Sequence, residues 1–345
     1  MQKELTRLII GLSFVFSLLS ITSCNDDNEV STAPMVSFYV PDGFPQPAYS
    51  FKNNAFTPLR FELGKKLFYD PILSRDSTIS CGSCHQQFAA FAHLDHFVSH
   101  GIDDLLGTRN APPLFNLAWH SEFMWDGGVI NLESQPFAPI TNPVEMDETI
   151  ANAVMKLRRS SFYPSLFRTA YGSDSITSQM MARAITLFMV GLISADSKYD
   201  RYKKRTATFT DSEERGYALF KAKCESCHQE PLLTDLKYRN NGLDARFLDA
   251  GRAVISTLPQ DSGKFKVPSL RNVALSYPYM HDGRFRTLSS VIDHYRSGIK
   301  QSSTLDPLLI NGNMSITDAE KADILSFLNT LTDQTFITNK KFGEM

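Results

Sequence analysis

The strongest constraint on this chain is a five-residue pattern that occurs twice, as Cys81-Gly82-Ser83-Cys84-His85 and as Cys224-Glu225-Ser226-Cys227-His228. Cys-x-x-Cys-His is the spacing of covalent c-type haem attachment. Its two thiols form thioether links to the porphyrin vinyls, and the adjacent His ligates the iron from the proximal side. Of the five cysteines, only Cys24 lies outside the two motifs. Other uses of paired cysteines fit less well. A zinc ribbon joins its knuckles across roughly 15–20 residues, far less than the gap here. A thioredoxin-type site wants one motif beside a βαβ pattern, and neither condition is met.

Cys24 closes an export signal. Residues 1–23 carry Lys3 and Arg7, an apolar run from Leu8 to Ile21, and small residues before Cys24. That run is too short to span a bilayer, and its flanks suit a signal peptide of lipoprotein type, with Cys24 lipidated as the mature N-terminus. Ordinary secretion with cleavage nearby is the plainer alternative. In an oxidising compartment free thiols would not persist, so capture by haem is a consistent fate for them. Cleavage moves the net charge from −2 to −3 and exposes no basic block, which argues against nucleic acid as a partner. The remaining 322 residues are long for one core and comfortable for two.

Residues 24–48 open with Asn25-Asp26-Asp27-Asn28-Glu29 and continue with Pro34, Pro41, Pro45 and Pro47. They read as a polar tether followed by extended chain on the surface. The rest repeats itself. Gly64-x-x-Leu67-Phe68 precedes the first motif and Gly216-x-x-Leu219-Phe220 the second. Each is expected to be a helix whose Leu-Phe edge packs on haem. Only the second runs straight into its Cys pair, because Tyr69 to Asp76 forms a turn-rich insertion in the first. Each half closes with an amphipathic helix: Met180, Ala184, Leu187, Phe188 and Gly191 recur at helical spacing, as do Ile324, Leu325, Phe327, Leu328 and Leu331. Thr317 and Glu320 form a capping box for the latter. The fold expected is mostly α, two cytochrome-c-like helical domains over residues 49–205 and 206–345, each carrying one covalent haem. The boundary lies where Lys203-Lys204-Arg205 and Thr206 to Thr210 interrupt the apolar periodicity.

Between the motifs the chain carries Leu63 to Phe68, Arg109-Asn110-Ala111-Pro112, Trp125-Asp126-Gly127, Asn142 to Met146, Pro268 to Asn272 and Tyr279 to Gly283. On these stretches it resembles the bacterial di-haem cytochrome c peroxidases, including the relatives that mature a tryptophan-derived quinone in methylamine dehydrogenase. The resemblance runs from about Pro45 to the last helix. It implies an N-terminal haem that reduces hydrogen peroxide and a C-terminal haem that receives electrons from a small cytochrome c or similar donor. Glu145 matches the acid–base carboxylate and Gln135 the amide that orients the peroxide. Trp125 matches the relay between the haems, and Trp119 reads as core. Asn110 matches a calcium ligand at the domain interface, with the carbonyls of Ser276 and Pro278 as the other protein donors. Without the resemblance, Glu145 and Gln135 would read as a solvated acid and a surface amide, and Asn110 as a turn former.

Two positions depart from the conventional pattern. The distal ligand of the second iron, a Met in conventional members, falls at Tyr295. A phenolate there resembles the quinone-maturing branch, favours Fe(III) and lowers the potential. Tyr295 is preferred, with Met280 as the alternative; the adjacent His294 is expected to face another side of its helix. In the loop after the first motif, His100 is nearest to the His that plugs the resting iron in conventional members, one residue out of step. Plugged and open irons remain equal readings, and His93 and His96 read as exposed loop residues. The expectation is a lipid-anchored periplasmic peroxidase, with a second copy of the chain as a candidate partner. Oxidative modification of a partner protein, or a non-catalytic electron carrier or redox sensor, are the alternatives.

Overall fold

In the computed structural model, residues 38–312 and 314–344 are described. The expected signal peptide, Cys24 and the expected tether as far as residue 37 lie outside the described residues. Twelve α-helices and two short strands are present among them.

The helix α1 (Pro58–Tyr69) begins at Thr57, whose hydroxyl accepts from the Arg60 N–H at 3.3 Å, with Pro58 pre-set for the first turn. It stops ahead of Pro71. The first motif then forms its own one-turn helix, α2 (Cys81–Cys84), under a Ser80/Ser83 capping box. After α3 (Phe137–Thr141), α4 (Ile150–Arg159) and α5 (Tyr163–Tyr171) comes α6 (Ser178–Gly191), which crosses α1. At that crossing a Cβ on Gly64 would stand 1.9 Å from the Ala184 carbonyl oxygen. Only glycine lets the backbones approach so closely.

The second half repeats the device. Past α7 (Lys198–Lys203), α8 (Asp211–Lys223) ends with Cys224 as its C-cap and crosses α11 (Asp318–Asn329). A Cβ on Gly216 there would meet the Asp323 carbonyl oxygen at 2.0 Å. The repeated Gly-x-x-Leu-Phe therefore has a packing cause: the glycine admits the partner helix while Leu67, Phe68 and Phe220 turn fully into the cores. Thr317 and Glu320 form the expected capping box. Between α8 and α11 lie α9 (Ala253–Ser256), α10 (Leu288–Asp293), and a two-stranded antiparallel ribbon, β1 (Tyr238–Arg239) with β2 (Phe265–Lys266), Tyr238 opposite Lys266.

Buried apolar side chains gather in two clusters. The larger includes Leu67, Leu157, Phe167 and Phe188; the smaller includes Tyr199, Phe220, Ile292, Ile324 and Phe327. One expectation needs correcting. α6 is not amphipathic along its second half, since every residue from Ala184 to Gly191 is buried. It is enclosed by α1, by the segment at Leu132, whose carbonyl accepts from Thr186, and by Phe91 and Phe68 against Phe188. Trp119 is core, as expected: Phe38 and Phe44 pack on it and its indole N–H donates to the Pro45 carbonyl at 2.7 Å.

The chain's end returns to the first cluster. From α12 (Gln334–Thr338) Phe336 packs on Phe91 with ring centroids 5.6 Å apart, and Phe342 follows it in. Asp333, 1% exposed, fixes this return. One carboxylate oxygen accepts from Ser194 Oγ and from the Ala195 and Asp196 N–H groups, and the other from Thr335 Oγ1 and the Phe336 N–H. Its own N–H donates to Asn272 Oδ1.

Candidate functional site

Both motif histidines are held alike. His85 Nδ1 lies 2.9 Å from the Phe91 carbonyl oxygen, and His228 Nδ1 lies 3.3 and 3.2 Å from those of Leu233 and Pro268. A carbonyl only accepts, so Nδ1 carries the hydrogen and Nε2 keeps its lone pair free for a metal. Desolvation pulls both imidazoles down to about 4, keeping them neutral at physiological pH. The four motif thiols are unbridged. Burial pushes Cys81 up to about 12 and Cys84 and Cys224 to about 11. Paired free thiols beside a neutral, carbonyl-tethered imidazole fit covalent haem: the thiols would attach it, and the free Nε2 would be available to its iron.

Glu145 stands beside the first motif. After burial, its charge is among the causes that raise the Cys81 and Cys84 thiols. The loop 99–102 joins the two. Cys84 Sγ lies 3.3 Å from the His100 carbonyl oxygen, the Ile102 N–H donates to the Glu145 carbonyl at 2.8 Å, and Ser99 Oγ donates to Glu145 Oε1 at 3.2 Å. Burial raises the Glu145 carboxyl above its ordinary range, opposed by bonds from Ser99 and Asn142. A carboxyl so placed can both hold and release a proton. Gln135 lies at the end of the 3₁₀ turn Leu132–Ser134, its Nε2 4.0 Å from Met124 Sδ.

Trp125 donates from its indole N–H to the Asn110 carbonyl at 2.8 Å, and the Asn110 N–H donates to the His281 carbonyl at 2.7 Å. Asn110 thus joins Trp125 to the Tyr279–Gly283 stretch. Its side-chain N–H groups go to the His96 and Phe97 carbonyls. Arg109 pairs with Asp126 and Asp249, tying the Trp125-Asp126-Gly127 turn to the second half.

The loop histidines are not simply exposed. His93 is 4% exposed and stacks on His96 at 4.0 Å, and His96 stacks on His100 at 5.3 Å. Burial and the neighbouring imidazoles hold His93 down at about 4. His100 directs Nε2 to Asp104 at 3.1 Å, so in this conformation its ring is engaged at the surface.

Around the second motif, Asn241 collects the candidate distal groups. Its Nδ2 lies 3.4 Å from Met280 Sδ and its side chain hydrogen-bonds the Tyr295 phenol. Its carbonyl oxygen lies 3.0 Å from His294 Nε2. Tyr295 sits in a π-helical stretch, His294–Gly298, so neighbouring side chains both reach Asn241. Burial raises the phenol to about 12, opposed by Asn241, with the charges of Cys227 and Cys224 adding to the rise. Ser99, Asn241 and Lys266 were not singled out from the sequence. The turn signal Asn240-Asn241-Gly242 marks a loop but not what that loop touches.

Two helical cores, each presenting a paired-thiol motif with a carbonyl-tethered histidine, define a di-haem c-type oxidoreductase. The family pattern described as di-haem cytochrome c peroxidase matches residues 58–208, and that described as cytochrome c matches residues 213–332. The chain is 36% identical to methylamine utilization protein MauG of Methylorubrum extorquens, over 85% of this chain and 83% of that protein. It is 32% identical to cytochrome c551 peroxidase of Nitrosomonas europaea, over 79% of each. A solved MauG-like protein associated with microbial copper homeostasis superposes with a TM-score of 0.83 at 34% identity, covering 89% of this chain and 98% of that one. The chain belongs to the di-haem cytochrome c peroxidase family, and membership implies two haem c groups. Among the described residues, no helix is long and apolar enough to cross a membrane.

Proposed function

We propose that this protein reduces hydrogen peroxide to water with electrons from a small cytochrome c or similar carrier. The observation that carries this reading is Glu145: a half-buried carboxyl beside the first motif, raised in pKa by burial and held by Ser99. Two haem c groups would supply the electrons and the iron that polarises the O–O bond. The chain's own residues manage protons and orientation. Glu145 takes the proton from one peroxide oxygen and returns it to the departing oxygen, which leaves as water. Gln135 holds the peroxide so that this transfer runs over a short path. Overall, one H₂O₂, two electrons and two protons give two waters. Trp125, anchored by the Asn110 carbonyl, is the proposed relay between the halves.

A second reading has its own observation. The Tyr295 phenol is buried, bonded to Asn241 and close to the Cys224/Cys227 pair. It would be the preferred further ligand for the second iron, with Met280 as alternative, and it favours oxidative modification of a partner protein. His100, engaged with Asp104 and His96, supports an open first iron. The side-chain oxygen of Asn110 and the carbonyls of Ser276 and Pro278 are the proposed calcium donors. The proposed setting is the periplasmic side of a bacterial envelope, through a lipid on Cys24. Purified holoprotein should oxidise a reduced small cytochrome c only when peroxide is added. Peroxide-independent oxidation, or none, would remove this function.

A further inference from the structure

A narrow cleft of about 70 Å³ opens between the halves, lined by Pro112, Leu114, Phe123, Trp125 and Gln135 on one side and Lys266 to Ser269 on the other. Its lining is largely apolar, with two poorly satisfied polar groups. Lys266 Nζ donates to the Glu122 carbonyl at 2.8 Å. His120 Nδ1 is buried with no hydrogen-bond partner.

The carboxylates nearest Lys266 are engaged elsewhere. Glu122 accepts from Arg252 and the Tyr238 hydroxyl, and Asp126 from Arg109. Neither forms an ion pair with Lys266, whose ammonium sits inside the cleft wall. Burial pulls that ammonium down to about 8, opposed by the more distant charges of Glu122 and Asp126. A buried cation without a contacting anion and a buried imidazole nitrogen without a partner are both costly unless a ligand completes them.

We propose that this cleft receives the carboxylate edge of the first haem, with Lys266 and His120 as its anion-binding pair. The inference rests on the di-haem reading. A haem is a flat apolar disc with two carboxylates on one edge, matching an apolar slot with cationic and hydrogen-bonding groups in its wall. Gln135, the proposed peroxide-orienting amide, belongs to the same wall. Lys266 comes from β2 in the second half, so the first haem is gripped by both halves. The Lys266 N–H also donates to the Trp125 carbonyl at 2.7 Å, and Pro268, two residues on, holds His228. The grip thereby adjoins both the proposed relay and the second motif.

The test uses full holoprotein from a host that attaches haem c, comparing wild type with Lys266→Met and Lys266→Arg. Mass gives the haem count, and a redox titration followed by paramagnetic resonance separates the two irons. A cation beside the carboxylates disfavours Fe(III), so its loss should stabilise the oxidised state. Lys266→Met should keep both haems and shift the first haem's reduction equilibrium about tenfold towards oxidised, which is ~59 mV for one electron. The second haem should stay put, and Lys266→Arg should restore the equilibrium to within about twofold. An unmoved first haem, or a shift confined to the second, overturns the inference while leaving the di-haem reading intact. If Lys266→Met does not accumulate, Lys266→Gln, whose amide can still donate to the Glu122 carbonyl, is read by the same criterion. Wild-type protein without two haems would instead overturn the reading beneath it.

Discussion

Around Cys81–His85 the chain gathers a carboxyl and a hydroxyl, in Glu145 and Ser99; around Cys224–His228 it gathers a phenol, a thioether and an amide, in Tyr295, Met280 and Asn241. The scaffolds beneath are close to identical in plan. Both cross two helices at a glycine, bury a Phe four residues on, and tether the motif histidine through Nδ1 to carbonyl oxygens. What differs is proton chemistry. Burial leaves the first half a carboxyl raised above its ordinary range, whereas the Tyr295 phenol, raised to about 12, keeps its proton unless a metal displaces it. One shared plan can therefore host unlike tasks, because the groups gathered beside each motif come from segments other than the crossing helices.

The sharpest way to break this contrast is Glu145→Gln. It should lower peroxide turnover by about 10²–10⁴-fold, the usual worth of positioned acid–base catalysis, with little change in peroxide KM. Tyr295→Phe should keep turnover within a few-fold while altering the resonance spectrum of the second iron alone. If Tyr295→Phe proves the more damaging, the assignment of tasks to halves is reversed.

Next come the scaffolds. Gly64→Ala and Gly216→Ala each force a methyl against a backbone carbonyl and should cost about 1–3 kcal/mol, typical of overpacking, read by thermal unfolding. Similar losses would support equivalent crossings; a loss at only one would show that the plans diverge.

The smallest effects concern pH. The folded chain holds the Glu145 proton at pH values where the unfolded chain has released it. Stability should therefore fall as pH rises from the ordinary carboxyl range through the raised native value. Glu145→Gln should remove that slope. Ser99→Ala deletes a bond that favours the ionised form, so the acid limb of the kcat/KM profile should move to higher pH, with about 0.5–1.5 kcal/mol lost in stability.

Much of this was legible in sequence where the cause is local. The attachment motifs, the Gly-x-x-Leu-Phe repeat and the Thr317/Glu320 capping box depend on neighbours a few residues apart, and all appear in the fold. The insertion after Tyr69 was readable from Pro71 and its turn residues. What escaped depends on distant chain. Asn241 matters because Met280, His294 and Tyr295 converge on it from 39 to 54 residues away. α6 reads as amphipathic because its period is helical, yet its outer face is covered by segments that periodicity does not register. His93 passes for a loop residue in a string of letters, and only the folded turn stacks it beneath His96. The roles proposed for Glu145, Gln135 and Trp125 rest on family likeness, since their residue types alone are commonplace.

Asp333 bears on how steady the spacing between the two redox centres can be. Through its buried carboxylate and its own backbone N–H, this one residue staples the end of one half, the Pro268–Asn272 stretch of the other, and the returning tail. Electron hopping weakens steeply with every added ångström of gap, so this staple acts as a ruler as well as a fastener. A chain trimmed before residue 333 could still carry both pigments and yet conduct poorly, its donor and acceptor no longer held at one fixed separation.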